Sequence, residues 1–126
     1  MQMGRLSGLT ALHLYDNNLI STIPSSVGKL TNLVQLMIDS NSFTGTITSE
    51  IVNLMSLEEI WLERNELSGY LTHLAELSKL KVIHVHDNDF SGSIESLCPL
   101  FELKLIELQA DCEKINGSCM NNINCY

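Results

Sequence analysis

Basic side chains are scarce in this sequence, which has 7 Lys and Arg residues against 15 Asp and Glu residues and a formal charge of −8 at pH 7. Nucleic acids and anionic lipid surfaces are recognised through basic patches, so this balance argues against both as partners. The sequence also lacks an apolar run of about 18 residues, and we therefore expect no membrane insertion by this segment. The opening stretch "MQMGRLSGLTALHLY" has no apolar core of the kind that signal peptides carry.

A single folded domain is expected, because 44% of the 126 residues are apolar and 17% are charged. The apolar residues recur in the pattern LxxLxLxxNxL, in which L stands for any apolar residue. Copies begin at residues 9, 33, 57, 80 and 103, so they are spaced by 24, 24, 23 and 23 residues. The copies are "LTALHLYDNNL", "LVQLMIDSNSF", "LEEIWLERNEL", "LKVIHVHDNDF" and the incomplete "LKLIELQADC", which has Asp111 in place of Asn.

This pattern resembles the leucine-rich repeat. The second halves of the units, "NLISTIP", "SFTGTIT", "ELSGYLT" and "DFSGSIE", are similar to the LxGxIP segment of the plant-type subclass, although Ser21 replaces the first glycine and only Pro24 keeps the proline. The resemblance implies an α/β-type solenoid of about five repeats. It would be a right-handed superhelix with a parallel β-sheet on the concave side and turns and short 3₁₀ segments on the convex side.

Elementary packing supports the same architecture. Leu57, Ile60 and Leu62 are spaced as in a strand with one buried face. A single unit cannot bury that face, whereas stacked units form a continuous apolar interior. An amide both donates and accepts hydrogen bonds, so a stacked ladder of Asn side chains can satisfy backbone groups where the chain turns out of each strand. We expect this role for Asn17, Asn41, Asn65 and Asn88.

The repeats are expected to occupy residues 1–111, with a truncated first repeat. The stretch "MGRLSGL" parallels "VGKLTNL", which places Met1 inside a unit. One hypothesis is that the chain is a fragment whose signal peptide and N-terminal cap lie upstream. The alternative is a complete protein with an improvised first cap.

Residues 112–126 have lost the repeat and form the expected C-terminal cap, to which Cys98 contributes. The stretch "LCPLFELKLIELQADC" is loosely similar to the cysteine-bearing end of secreted repeat proteins from microalgae. We expect two disulfides with the pairing open, and buried free thiols are the alternative. The "NGS" triplet makes Asn116 a candidate glycosylation site, which together with the disulfides indicates an extracellular protein, secreted or at the cell surface. The cysteines are Cys98, Cys112, Cys119 and Cys125.

The stretch "VIHVHDNDF" carries two histidines in one of the repeated strands. His84 and His86 flank the inward-facing Val85, so both should point outward on the concave surface. Neighbouring parallel strands lie about 4.8 Å apart, and in the repeat frame His84 should lie between Trp61 and Glu107.

By the same frame His86 should lie between Glu63 and Gln109. The Glu63 carboxylate would favour the protonated imidazole of His86, so binding through this face should change between about pH 5 and 7. An exposed Trp near His and Tyr is the type of anchor that binding hot spots favour. The candidate ligand-binding residues are His13, Tyr15, Met37, Asp39, Trp61, Glu63, Arg64, His84, His86, Asp87 and Glu107.

Three interpretations of this face compete: a ligand-binding surface, a solvated surface without a partner, and a metal site at His84, His86 and Glu63 with Glu107 as an optional fourth ligand. Residues two apart on one strand diverge by about 7 Å, which is wide for one ion, so no metal or other cofactor is expected. Asp39 and Glu63 could act as paired carboxylates, but a shallow face offers no cleft that excludes water. An enzyme is therefore not expected.

The sequence and the resemblance together predict a non-enzymatic extracellular recognition module. Its concave face would bind a protein, a peptide or a cell-wall glycan. One alternative is the sensing ectodomain of a leucine-rich-repeat receptor kinase. Another is a structural wall or adhesion scaffold without a discrete ligand.

Overall fold

The computed structural model describes residues 6–126, which form a stack of coils with one strand of a long parallel sheet in each coil. The predicted start of the chain inside a repeat falls on Met1, which lies outside the described residues. Along the chain the elements are β1 Ala11–His13, β2 Ile20–Thr22, a 3₁₀ segment Ser25–Lys29, β3 Gln35–Met37, β4 Ser42–Thr46, a 3₁₀ segment Ser49–Asn53, β5 Glu59–Trp61, β6 Glu66–Gly69, a 3₁₀ segment Thr72–Glu76, β7 Val82–His84, β8 Asp89–Phe90, β9 Gly92–Ser93, a 3₁₀ segment Glu95–Leu97, α1 Leu100–Leu103, β10 Glu107–Ala110, β11 Ile115–Asn116, a 3₁₀ segment Met120–Asn122 and β12 Asn124–Cys125.

Within residues 6–126 the concave sheet has six parallel strands in the order β1-β3-β5-β7-β10-β12. A second parallel sheet, β2-β4-β6-β8, and the pair β9-β11 stack the segments that follow each strand of the concave sheet. The concave sheet and the 3₁₀ segments agree with the predicted solenoid. The second sheet was not predicted from the sequence.

The apolar positions of the repeat line one continuous core. Four side chains lie side by side on the inner face of the concave sheet and are at most 1% exposed: Leu36, Ile60, Ile83 and Leu108. Each of these side chains is buried only because the coils on both sides cover it, which explains why the repeats fold as a stack. The leucines that close the far side of the coils are also buried; they are Leu30, Leu54, Leu77 and Leu100.

The Asn ladder forms as expected. The Nδ2 of Asn65 donates to the carbonyls of Ile38 and Leu62, each at 3.0 Å, and its Oδ1 accepts from the backbone N–H of Phe43 at 2.9 Å. The amide therefore ties its own turn to the preceding coil. The residue before each Asn has a left-handed backbone, with φ between 53° and 56°, in Asp16, Ser40, Arg64 and Asp87.

Sterics explain why glycine occupies its position in the second half of the repeat. Gly69 has φ +85°, and an added Cβ would lie 2.9 Å from Cγ2 of Thr46 in the preceding coil. Ser21, which replaces the first of these glycines, has φ 141°. A side chain in that region costs on the order of 1–3 kcal/mol, so the first coil carries local strain.

The fifth repeat begins two residues later than the sequence pattern predicted. Leu108 pairs with Ile83, which makes Leu105 the equivalent of Leu80 and removes Leu103 from the repeat. Leu105 is 5% exposed, whereas Leu103 and Ile106 are 60% and 78% exposed. The helix α1 lengthens the convex segment of the coil before this repeat, so the regular spacing of the leucines fails there.

As a consequence, Asp111 does not occupy the Asn position. Its carboxylate accepts hydrogen bonds from the backbone N–H groups of Asp87 at 3.0 Å and Asn88 at 3.2 Å. In the earlier coils the equivalent N–H groups donate to backbone carbonyls of the next coil, for example from Asn65 to Asp87. Asp111 thus replaces backbone acceptors at the end of the stack.

Two disulfides fasten the C-terminal end. Cys98 pairs with Cys119, and Cys112 pairs with Cys125. The second bond anchors β12, which adds the last strand to the concave sheet beside β10. Among the described residues, no helix has the length and apolar character that a bilayer crossing needs.

Candidate binding face on the concave sheet

Two rows of side chains cross the concave sheet on the face opposite the core. The strand register places His13, Met37, Trp61, His84 and Gln109 side by side in the first row. The second row follows two residues later in each coil, where the chain leaves the strands. Its members are Tyr15, Asp39, Glu63 and His86.

The prediction that Glu107 is the lateral neighbour of His84 was wrong, because the fifth repeat is shifted by two residues. Glu107 pairs with Val82, and Gln109 lies beside His84. The side chain of Glu107 nevertheless reaches diagonally across, and its Oε1 lies 3.1 Å from Nε2 of His84. Gln109 in turn donates a hydrogen bond to Glu107.

Both histidines are buried, although the sequence predicted them on an open surface. His84 is 7% exposed and His86 is 5% exposed. The ring of Tyr126 stacks on His86 with the centroids 3.9 Å apart, and the ring of Trp61 lies 4.4 Å from that of His84. Tyr126 was missed because it lies beyond the repeats, where no periodic signal places a side chain.

His84, and not His86, is the ion-pair partner of Glu63. Nδ1 of His84 lies 3.6 Å from Oε1 of Glu63, while Nε2 faces Glu107. Burial opposes protonation of this imidazole, but the hydrogen bonds and charges of the two carboxylates outweigh it and raise the pKa of His84. The contact with Glu63 on which the predicted pH dependence rested is therefore made by His84.

An open cleft lies toward the N-terminal end of the same rows. It has a volume of about 320 Å³ and is lined by Tyr15, Met37, Asp39 and Trp61. Burial and then the charge of Glu63 raise the pKa of Asp39. The volume falls at the lower end of the range of roughly 300–1,000 Å³ that is usual for ligand pockets.

The remaining predicted residues lie around these two regions. Arg64 and Asp87 form an ion pair of 3.8 Å with side chains 69% and 59% exposed, and such a pair contributes little stability. His13 contacts Gln35 through a 3.1 Å hydrogen bond at the first strand. Within residues 6–126, no group of three His, Cys, Asp or Glu side chains is arranged to hold a metal ion.

The glycosylation candidate lies away from the concave sheet. Asn116 is exposed in β11, and the hydroxyl of Ser118 in the same triplet donates to Glu95 at 2.6 Å. The backbone N–H of Ser118 also donates to Glu95 at 2.8 Å, and these bonds hold the pKa of that carboxyl below its usual value. Modification of Asn116 stays a prediction.

Comparison with known families and structures defines the class of protein. The sequence matches the family described as "Leucine-rich repeat region" over residues 1–123. The chain therefore belongs to the leucine-rich-repeat family, and its similar structures identify it as a plant-type leucine-rich-repeat protein. A search of curated protein sequences found no match.

Several of the similar solved structures are ectodomains of plant receptor kinases. The ectodomain of GASSHO1/SCHENGEN3 from Arabidopsis thaliana, in complex with CASPARIAN STRIP INTEGRITY FACTOR 2, is 31% identical with a TM-score of 0.79 and covers 91% of this chain and 14% of its own. The Arabidopsis receptor kinase HAESA, in complex with the peptide hormone IDA and the co-receptor SERK1, is 27% identical with a TM-score of 0.78, and the match covers 91% of this chain and 19% of that chain. SOBIR1 from Arabidopsis thaliana is 28% identical with a TM-score of 0.76, and the match covers 97% of this chain and 62% of that chain. The chain thus spans less than two thirds of each of these ectodomains.

Proposed function

We propose that this protein is a non-enzymatic recognition module that acts outside the cell and binds a peptide or protein segment on its concave face. The observation that carries the proposal is the open cleft between Tyr15 and Trp61. The fold needs apolar side chains only at the inward positions of each strand, so it does not account for an aromatic side chain at Tyr15 or Trp61. Partly exposed aromatic residues around a cleft are typical anchors of binding hot spots.

The comparisons support the same role. GASSHO1/SCHENGEN3 and HAESA are receptor kinases whose ectodomains were solved with CASPARIAN STRIP INTEGRITY FACTOR 2 and the peptide hormone IDA, respectively. Two disulfides in so short a chain agree with an oxidising, extracellular environment. The module would serve equally as part of a receptor's sensing ectodomain or as a secreted binder.

A selection from a phage-displayed library of random peptides tests the proposal. We expect the protein to enrich peptides whose affinity falls more than about tenfold when Trp61 is replaced by Ala, because truncation of a hot-spot aromatic costs about 2 kcal/mol or more. Tyr70→Ala is the matched control, since Tyr70 is 64% exposed and lies outside the concave sheet. Peptides that bind both variants as tightly as the wild type would contradict a role for the concave face.

A structural wall component without a discrete ligand predicts a different result. It would associate with insoluble wall polysaccharide to the same extent before and after Trp61→Ala, and it would enrich no peptide. That combination would replace the recognition proposal with the scaffold alternative.

A further inference from the structure

The cleft between Tyr15 and Trp61 combines features that favour one class of ligand group. Two aromatic side chains border it, a carboxylate and a thioether line it, and the exposed fraction of Tyr15 is 47%. Aromatic rings attract cations through the negative potential of their faces, and a carboxylate attracts them by charge. We infer that the cleft binds a cationic side chain, above all the guanidinium of an arginine in the bound peptide, an inference that rests on the recognition function proposed above.

The strand register explains how the two rings come to border one space. Met37 pairs with Trp61 of the next strand, and the backbone carbonyl of Asp39 accepts from the N–H of Asp16, which follows Tyr15. Tyr15 therefore stands on the first coil and Trp61 on the third, with Met37 and Asp39 of the second coil between them. Strands two apart are separated by about 10 Å, and the cleft of about 320 Å³ over the second coil leaves room for a flat group beside the carboxylate of Asp39.

The electrostatics of the cleft favour a cation over a neutral group. Burial raises the pKa of Asp39, and the two charges that raise it further belong to the carboxylates of Glu63 and Asp16. The nearby Arg64 points to Asp87 in an exposed ion pair. A bound cation would relieve the repulsion among the carboxylates, whereas a sugar hydroxyl or an amide would leave it in place.

Arginine suits this geometry better than lysine. Its planar guanidinium stacks on aromatic faces and presents a fork of donors to a carboxylate, whereas the lysine ammonium is a more strongly hydrated point charge. The aliphatic part of the arginine side chain would pack against Met37. The net charge of −8 attracts a basic partner to the whole surface, and the cleft then selects the side chain.

The test uses the single tryptophan of the chain as a reporter, because Trp61 alone gives an indole N–H resonance. The wild-type protein is titrated with N-acetyl-arginine amide, and separately with N-acetyl-citrulline amide, a neutral analogue of nearly the same shape. We expect the indole resonance to shift with the arginine compound at millimolar concentrations, and the citrulline compound to bind about tenfold more weakly. Equal affinity for the two compounds would overturn the inference.

Two matched variants locate the effect. Asp39→Asn should weaken binding of the arginine compound about tenfold, because it removes the charge inside the cleft. Asp89→Asn removes the same charge from an exposed side chain that pairs with Lys114 at 3.1 Å, and it should leave the affinity within about twofold. Equal losses in the two variants would show that only net charge matters and would overturn the cleft as the site.

The peptide selection separates this inference from the proposed function. Peptides that depend on Trp61 but carry no more arginine or lysine than the unselected library would leave the recognition function standing and overturn the cationic subsite. A cleft that binds the arginine compound through Asp39, with no peptide that depends on Trp61, would support the subsite and contradict peptide recognition.

Discussion

Tyr15 and Tyr126 lie on the same concave face at opposite ends of the stack, and their surroundings differ. Tyr15 borders an open cleft, whereas Tyr126 lays its ring on His86 and helps to bury it. The same position of the repeat is thus open to a ligand at Tyr15 and Asp39, whereas it is buried at Glu63 and His86. The C-terminal residues therefore cover surface that the first coils leave open.

The largest expected effect tests whether the two ends differ in packing as they do in exposure. Leu12 and Leu108 occupy the same inward position in the first and fifth strands. Leu108 is fully buried under the cap, whereas Leu12 is only partly buried. We expect Leu108→Ala to lower the free energy of unfolding by about 4 kcal/mol and Leu12→Ala by about 1 kcal/mol. Urea denaturation measures both values, and equal losses would mean that the first coil is as tightly packed as the last.

A second prediction concerns the disulfide between Cys112 and Cys125, which anchors β12 and the neighbouring Tyr126 over His86. Replacing Cys112 and Cys125 by Ser should lower the free energy of unfolding by about 3 kcal/mol. The disulfide joins residues separated by 13 positions in the sequence, and its loss gives the unfolded chain more conformational entropy. It should also release β12 and with it Tyr126, so that the ring resonances of His86 move toward those of an exposed imidazole. Tyr126→Ala is the control that keeps the disulfide, and it should cost only about 1 kcal/mol. A double variant with unchanged His86 resonances would mean that the disulfide does not hold Tyr126 against His86.

The regular part of the molecule was readable from the sequence, because each repeat obeys the same local rule. Leu57, Ile60 and Leu62 are buried for the reason that their spacing predicted, and the Asn ladder follows from the turn that ends each strand. The rule failed at the fifth repeat. There α1 lengthens the coil, and Leu103 and Leu105 compete for one position in the pattern while only Leu105 is buried.

The candidate face was readable only in part. Residues such as Trp61 and Asp39 were found because they alternate with core positions in the repeat. The depth of the cleft, and the choice of His84 over His86 as partner of Glu63, depend on side-chain packing between coils. The stacking of Tyr126 on His86 joins two residues that lie 40 positions apart in the sequence, and no local pattern encodes such a contact.

The smallest expected effect is a dependence of the free energy of unfolding on pH through His84, which lies between the open cleft and the surface covered by Tyr126. The pKa of His84 is raised in the folded protein above the ordinary histidine value of 6.5, so the folded state binds the proton more tightly than the unfolded chain does. This stabilisation is complete below the unfolded pKa and disappears as the pH rises through the raised pKa of the folded state. The groups that face this imidazole are Glu63, Glu107 and His86.

Comparison with His84→Gln isolates that contribution. The wild type should exceed the variant in free energy of unfolding by more at about pH 6 than at about pH 8, because only the wild type has an imidazole at position 84 that binds its proton more tightly in the folded state. Other titrating groups are common to both proteins and cancel in the difference. A difference that stays constant with pH would mean that His84 stabilises the fold only through packing against Trp61. The carboxylates of Glu63 and Glu107 would then not stabilise the protonated imidazole.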